Sequence, residues 1–149
     1  MTNLKMSFGV FTLVVVAATP VFAQQPAAGR IKIASGEASI VRASGVVPAK
    51  IGDVVYEKDV LRTGSDGRVG ITLKDDTRVS LGPSSEVRLD KFVYSPAEGS
   101  LGLALKFVHG VAAYVSGRIA KLAPDAVRLE TPAAIVGVRG TTLAIRTVE

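Results

Sequence analysis

Arg68-Val69-Gly70-Ile71-Thr72-Leu73-Lys74, Thr77-Arg78-Val79-Ser80-Leu81 and Glu86-Val87-Arg88-Leu89-Asp90 follow one another with short breaks, and each alternates apolar with polar residues. A period of two belongs to a strand with one face in a core and the other in water. The breaks at Ser65-Asp66-Gly67, Asp75-Asp76 and Gly82-Pro83-Ser84-Ser85 use residues that accept turn geometry or hydrogen-bond their own backbone. The strands are therefore short and closely spaced. The inward candidates Val69, Ile71, Leu73, Val79, Leu81, Val87 and Leu89 all carry odd numbers, and a slip of one residue would turn a strand's whole apolar set into water. A two-residue hairpin at Asp75-Asp76 would set Leu73 against Arg78. The connection is therefore expected to span three or five residues, to hold a bulge, or to turn a corner between two sheets.

The same habit extends outward. Ile31-Ile33 and Ala38-Ile40-Arg42 read as the opening strands. Leu101, Leu103, Leu105 and Phe107 alternate up to Gly110, where a hairpin around His109-Gly110 is expected before Val111-Ala112-Ala113-Tyr114-Val115. Val127 and Leu129 follow the turn Ala123-Pro124-Asp125, and Ile135-Val136 and Leu143-Ala144-Ile145 flank Gly137-Val138-Arg139-Gly140. No segment keeps a 3.6-residue period over three turns. The spacing of strands and turns predicts an all-β fold, a compact sandwich or short solenoid-like roll of many short strands.

Upstream, Lys5 precedes an apolar run over residues 6–18, and Val21 and Ala23 stand where a signal-peptide cleavage site needs small residues. The run is shorter than the roughly 20 residues a membrane-spanning helix needs. Residues 1–23 are thus expected to be a cleaved signal peptide, with an uncleaved anchor as the alternative. Residues 24–29, rich in Gln, Pro and Ala without periodicity, read as a flexible leader. Residues 30–149 are expected to form one domain, of a size that buries roughly two thirds of its unfolded surface. No later segment approaches a bilayer span, so the mature chain is expected to be periplasmic or secreted. Cysteine is absent, so stability must come from apolar packing, and thiol chemistry is excluded. Without Lys5 the chain carries 17 basic and 13 acidic side chains, dispersed rather than clustered. With Tyr56, Phe92, Tyr94, Phe107 and Tyr114 as the only aromatics after the leader, nucleic acid is not an expected partner.

Catalytic chemistry has little to stand on. His109 is the only histidine, it falls in an expected turn, and G-x-S-x-G, S-x-x-K, Walker and G-x-G-x-x-G patterns are missing. Asp75-Asp76 could contribute to a calcium site, but such an ion wants six to eight oxygens, and adjacent acids in a turn are more often solvated. Gly137-Val138-Arg139-Gly140 matches the G-x-x-G loop of KH domains, yet that loop lies between helices and here β-branched residues flank it. No metal, no cofactor and no enzymatic activity are expected.

Three pieces in order, Leu61-Arg62-Thr63-Gly64-Ser65-Asp66-Gly67-Arg68, the run through Leu73 and Asp76 to Leu81, and Thr131-Pro132 leading into Val136-Gly137-Val138-Arg139-Gly140-Thr141, together resemble the FecR domain. The likeness covers roughly residues 35 to 147, and Val-Arg-Gly-Thr at its close is the most specific part. The resemblance implies a β-rich periplasmic domain. In the best-known members that domain relays an outer-membrane transporter's ligand state through a membrane helix to a cytoplasmic anti-sigma segment. A cleavable signal is expected here where that plan needs a cytoplasmic domain, so the transcriptional role is not expected to carry over intact.

Gly64, Asp66 and Gly67 are expected to be structural: the glycines suit turn conformations, and Asp66 can bond its own turn. Gly137 and Gly140 would let the chain bend or let another backbone approach. Arg139, with five guanidinium donors, and the adjoining Thr141 complete a segment that either clamps the fold internally or meets a partner. The expected function is a non-catalytic cell-envelope interaction module that binds an envelope protein, an outer-membrane transporter or related signalling component being the candidates, in signalling or scaffolding. The alternative is a carbohydrate- or peptidoglycan-binding β module, which the scarcity of aromatic rings and the absence of Trp disfavour.

Overall fold

A computed structural model describes residues 15, 17–21, 23–138 and 142–147. Among them the strands are β1 (Ala27–Ser35), β2 (Ala38–Arg42), β3 (Gly45–Pro48), β4 (Val54–Tyr56), β5 (Val60–Thr63), β6 (Arg68–Leu73), β7 (Arg78–Leu81), β8 (Glu86–Ser95), β9 (Ser100–Val115), β10 (Val127–Glu130), β11 (Ile135–Val136) and β12 (Thr142–Thr147), with one short helix, α1 (Arg118–Leu122). The expected all-β class is the one adopted, as a curled, mostly antiparallel sheet that makes a half-barrel.

The odd-numbered side chains decide how the sheet is wound. Val69, Ile71, Leu73, Val79, Leu81, Val87 and Leu89 are all buried. Between β6 and β7, Thr72 faces Arg78, Ile71 faces Val79 and Val69 faces Leu81. The amide of Leu73 donates to the carbonyl of Thr77 at 2.8 Å, which leaves Lys74-Asp75-Asp76 as a three-residue loop with Asp76 at φ 68°. An odd loop ending in a left-handed residue keeps both apolar sets on one side.

Strand order runs β3-β2-β5-β8-β9-β7-β6-β1-β4, with β10 and β12 also on β9 and β11 on β10. Strand β9 is common to two half-sheets. Its first half pairs with β8 and, in parallel, with β10; its second half pairs with β7 and β12. A hairpin expected at His109-Gly110 is therefore corrected: the strand runs on through both residues. Gly110, at φ 90°, bends it from one half-sheet into the other, and the inward set changes from Leu103, Leu105 and Phe107 to Ala112 and Tyr114. A Cβ on Gly110 would lie 2.2 Å from Ser85 Oγ and 2.5 Å from the Ser84 carbonyl oxygen, so only glycine makes this corner.

The chain passes repeatedly between the halves, and its corners stack. The Gly64 amide donates to the Glu37 carbonyl at 2.8 Å, the Ser84 amide to the Gly64 carbonyl at 2.8 Å, and His109 Nδ1 lies 3.0 Å from the Ser84 carbonyl oxygen. Ser85, fully buried, ties the same column together: its Oγ donates within reach of the Val111 carbonyl (3.0 Å) and accepts from the Val111 amide (2.8 Å). One apolar core fills the curl, with residues from both half-sheets. Strand β1 opens at Ala27, three residues before the expected start near Arg30. Ala28 is buried and its carbonyl accepts from the Lys74 amide at 2.9 Å. Ala-Ala-Gly is small enough to lie against β6 without showing any period.

Candidate functional site

Residues 131–138 build the most exposed apolar edge near the expected partner-binding segment. Thr131 closes a turn on both sides: its amide donates to the Ala134 carbonyl at 2.8 Å, and its Oγ1 accepts from the Ala134 amide at 3.1 Å. The turn sets β11 against β10, with Glu130 opposite Ile135 and Leu129 opposite Val136. Leu129 is buried, whereas Ile135 is 59% and Val136 38% exposed. Strand β11 pairs only with β10 among the described strands. A two-residue strand on an edge covers neither of its faces, so both apolar side chains meet water and unpaired backbone groups face outward.

Gly137 follows and is exposed, and a Cβ placed on it would meet nothing within 4 Å. The close approach that glycine permits is not used among the described residues. Val138 then returns to the core at 4% exposure. Beside the two lies a concavity of about 540 Å³ lined by Pro124, Asp125, Val127, Gly137 and Val138. Arg139, Gly140 and Thr141 fall outside the described residues.

Gly64, Asp66 and Gly67 do sit in one turn, closed by the Gly67 amide on the Gly64 carbonyl at 3.1 Å. Neither glycine has a left-handed φ. What demands them is crowding: a Cβ on Gly67 would stand 2.0 Å from the Glu37 carbonyl oxygen, and one on Gly64 2.4 Å from the Glu37 carboxylate. Asp66 likewise reaches across rather than into its own turn, its Oδ1 accepting from the Glu37 amide at 3.1 Å. The three residues lock two corners together, away from the β11 edge.

Two carboxylates are buried: Asp59, which the sequence pattern does not single out, and Asp75. Asp59, 3% exposed, receives Arg42 through Nε at 2.9 Å and Nη2 at 3.0 Å, and also the Tyr56 amide at 2.9 Å. Arg42 spends Nη2 again on the Val54 carbonyl at 2.7 Å and lies 5.1 Å from the Tyr56 ring centre. The hydrogen-bonded Asp59 carboxylate holds the Arg42 guanidinium above its ordinary value. The signal was present: Asp59, Leu61 and Thr63 share the inward parity, and an acid facing a core needs a partner. Asp75, fully buried rather than solvated as adjacent turn acids were expected to be, accepts from the Thr77 amide (3.1 Å), Thr77 Oγ1 (2.7 Å) and the Ile119 amide (3.2 Å). It fastens the β6–β7 loop to α1. Asp76 stays exposed and lies 3.3 Å from Arg118.

His109 is a strand residue; its Nε2 lies 3.7 Å from Glu86, whose carboxylate already accepts from Arg62 Nε at 2.8 Å. Phe107 and Tyr114 are buried, and Tyr56, Phe92 and Tyr94 are half-buried, so no ring of the five stands free as a sugar platform.

Compared with known proteins, residues 59–149 match the family model described as FecR protein. No curated protein and no solved structure matches the chain.

Proposed function

The chain belongs to the FecR protein family, and from that premise we propose that it is a non-catalytic periplasmic module that grips another protein of the cell envelope in signalling or scaffolding. The family is one of periplasmic, signalling-related domains. In this reading residues 1–23 are an export signal cleaved after Ala23 and the folded domain follows a short leader. No helix among the described residues is long and apolar enough to cross a membrane.

The observation that carries the reading is the edge at Ile135-Val136. Two exposed apolar side chains stand on a strand whose outer edge is unpaired among the described residues, next to a glycine with none of those residues within reach of a Cβ. An extended partner segment can add to such an edge, gaining backbone hydrogen bonds from the strand and affinity from the alternate side chains. Gly137 then lets that partner's backbone come close. Arg139, Gly140 and Thr141 follow in the sequence, and a guanidinium at that position can fork onto a partner's carbonyls or carboxylate.

The test is photocrosslinking in intact cells from a reactive residue placed at position 135, with Arg139→Ala as the comparison. An adduct to one envelope protein is expected, weakened in the Arg139 variant. The absence of any adduct above background would overturn the reading.

A further inference from the structure

The half-sheet formed by β1, β4, β6, β7, β12 and residues 109–115 of β9 contains five basic residues of Arg and Lys type and no Asp or Glu. Its outer face is built by register. Ile33 faces Gly70, Gly70 faces Ser80, Ser80 faces Ala113 and Ala113 faces Ala144, so one row of mostly small side chains crosses five strands. On neighbouring strands about 4.8 Å apart, the row is roughly 19 Å long. Small residues leave the sheet backbone thinly covered, and beside the row lies an apolar groove of about 330 Å³, with Ile33 and Val111, both substantially exposed, on its walls.

Arginines border it. Arg68 lines the groove itself, and Arg78 and Arg146 stand two residues away from Ser80 and Ala144 on their strands. All three alternate with inward-facing neighbours and are exposed. Among the described residues none of these three side chains has a hydrogen bond or ion pair, whereas those of Arg42, Arg62, Arg88 and Arg118 each hold a carboxylate. Of the acids at the margins, Asp66 takes the Glu37 amide and Asp76 faces Arg118.

We infer that this face is a second docking surface, and that its occupant is an acidic polypeptide segment that seats a large apolar side chain in the groove between carboxylates paired with Arg68, Arg78 and Arg146. Charge complementarity sets the sign of the partner, and the apolar floor sets its central residue. At about 3.3 Å per residue, the row matches an extended segment of roughly six residues. A lipid surface is the less suitable occupant, because interfacial binding draws on protruding aromatic rings and none of the five aromatics after residue 23 is exposed. The inference rests on the partner-binding reading above and adds the partner's chemistry.

The experiment uses the full chain and fluorescein-labelled Asp-Glu-Leu-Phe-Asp-Glu, read by anisotropy. The comparison probes are Asp-Glu-Gly-Gly-Asp-Glu, Lys-Lys-Leu-Phe-Lys-Lys and phosphatidylglycerol vesicles. The first peptide is expected to bind saturably and more weakly as salt rises. Reversing charge with Arg68→Glu and Arg146→Glu together should weaken it about tenfold or more, because like charges then face the peptide. Ala144→Trp, an exposed edge-strand change that fills the groove, should weaken it as well while thermal melting stays at the wild-type midpoint. If the Gly-Gly peptide binds as well as the first, if the variants bind like wild type, or if only the vesicles bind, the inference is overturned. An adduct from position 135 that persists while the peptide fails removes this face alone. Peptide binding without any such adduct removes the β11 edge instead.

Discussion

Asp75→Ala is expected to cost about 3–5 kcal/mol of folding stability. The side chain is fully buried and its carboxylate is the shared acceptor for the Thr77 amide, the Thr77 hydroxyl and the Ile119 amide. Truncation leaves two buried amides and a hydroxyl without an acceptor, and each orphaned donor is worth roughly 1–3 kcal/mol. Because the hydroxyl can rotate towards another group, the sum falls short of the maximum. A domain of this size has only about 5–15 kcal/mol in all, so the variant should lose roughly a fifth of it or more. Urea denaturation followed by far-ultraviolet circular dichroism, suited to a chain without Trp, should show a lower midpoint at unchanged slope. Asp76→Asn is the control: it removes an exposed charge facing Arg118 while keeping a residue that tolerates the left-handed φ of 68°, and it should leave the midpoint in place. An Asp75→Ala protein within about 1 kcal/mol of wild type would refute the idea that this carboxylate carries the loop-to-helix junction.

Arg42→Ala should destabilise by about 2–3 kcal/mol in the same assay, because Asp59 stays buried with the Tyr56 amide as its remaining partner; a loss below about 0.5 kcal/mol would show the pair to be dispensable. Gly110→Val should yield no soluble folded protein, since its Cβ would stand 2.2 Å from Ser85 Oγ at a φ of 90°, whereas Val111→Thr next to it, at a half-exposed site, should express normally. Gly137→Ala should melt at the wild-type temperature, as its Cβ meets nothing within 4 Å, yet weaken the crosslink from position 135 if a partner's backbone uses that opening.

Much of this fold is written in parity. Seven odd-numbered apolar residues required an odd loop at Asp75-Asp76, and a three-residue loop is what the chain makes. Strands β3 and β4 escaped notice because their side chains do not alternate against a core: every residue of β3 is exposed, and β4 has three residues. Gly110 was misread because a glycine after a run of alternation signals both a hairpin and a bend. What separates the two is the distant Ser84-Ser85 backbone against which the bend packs, a contact 25 residues away in sequence. The candidate site shows the same division. Ile135, Val136 and Gly137 were legible as a strand running into a glycine, but their exposure depends on β11 having a single neighbour. The roles of Asp59 and Asp75 turn on which amides the tertiary fold brings to them, Ile119 lying 44 residues from Asp75 in sequence.

The stacked corners make the molecule behave as a pile of coils rather than as a sealed shell. Glu37, Gly64, Ser84 and His109 each touch the next corner along, so cohesion passes from neighbour to neighbour. Such a pile comes apart from its ends. The outermost strand, β12, pairs with β9 alone among the described strands and can peel away while the column beneath it keeps its hydrogen bonds. Amide exchange should therefore be fastest in β12 and slowest around Ser85. A pull applied to β12 would be spent on that strand before the rest of the domain felt it.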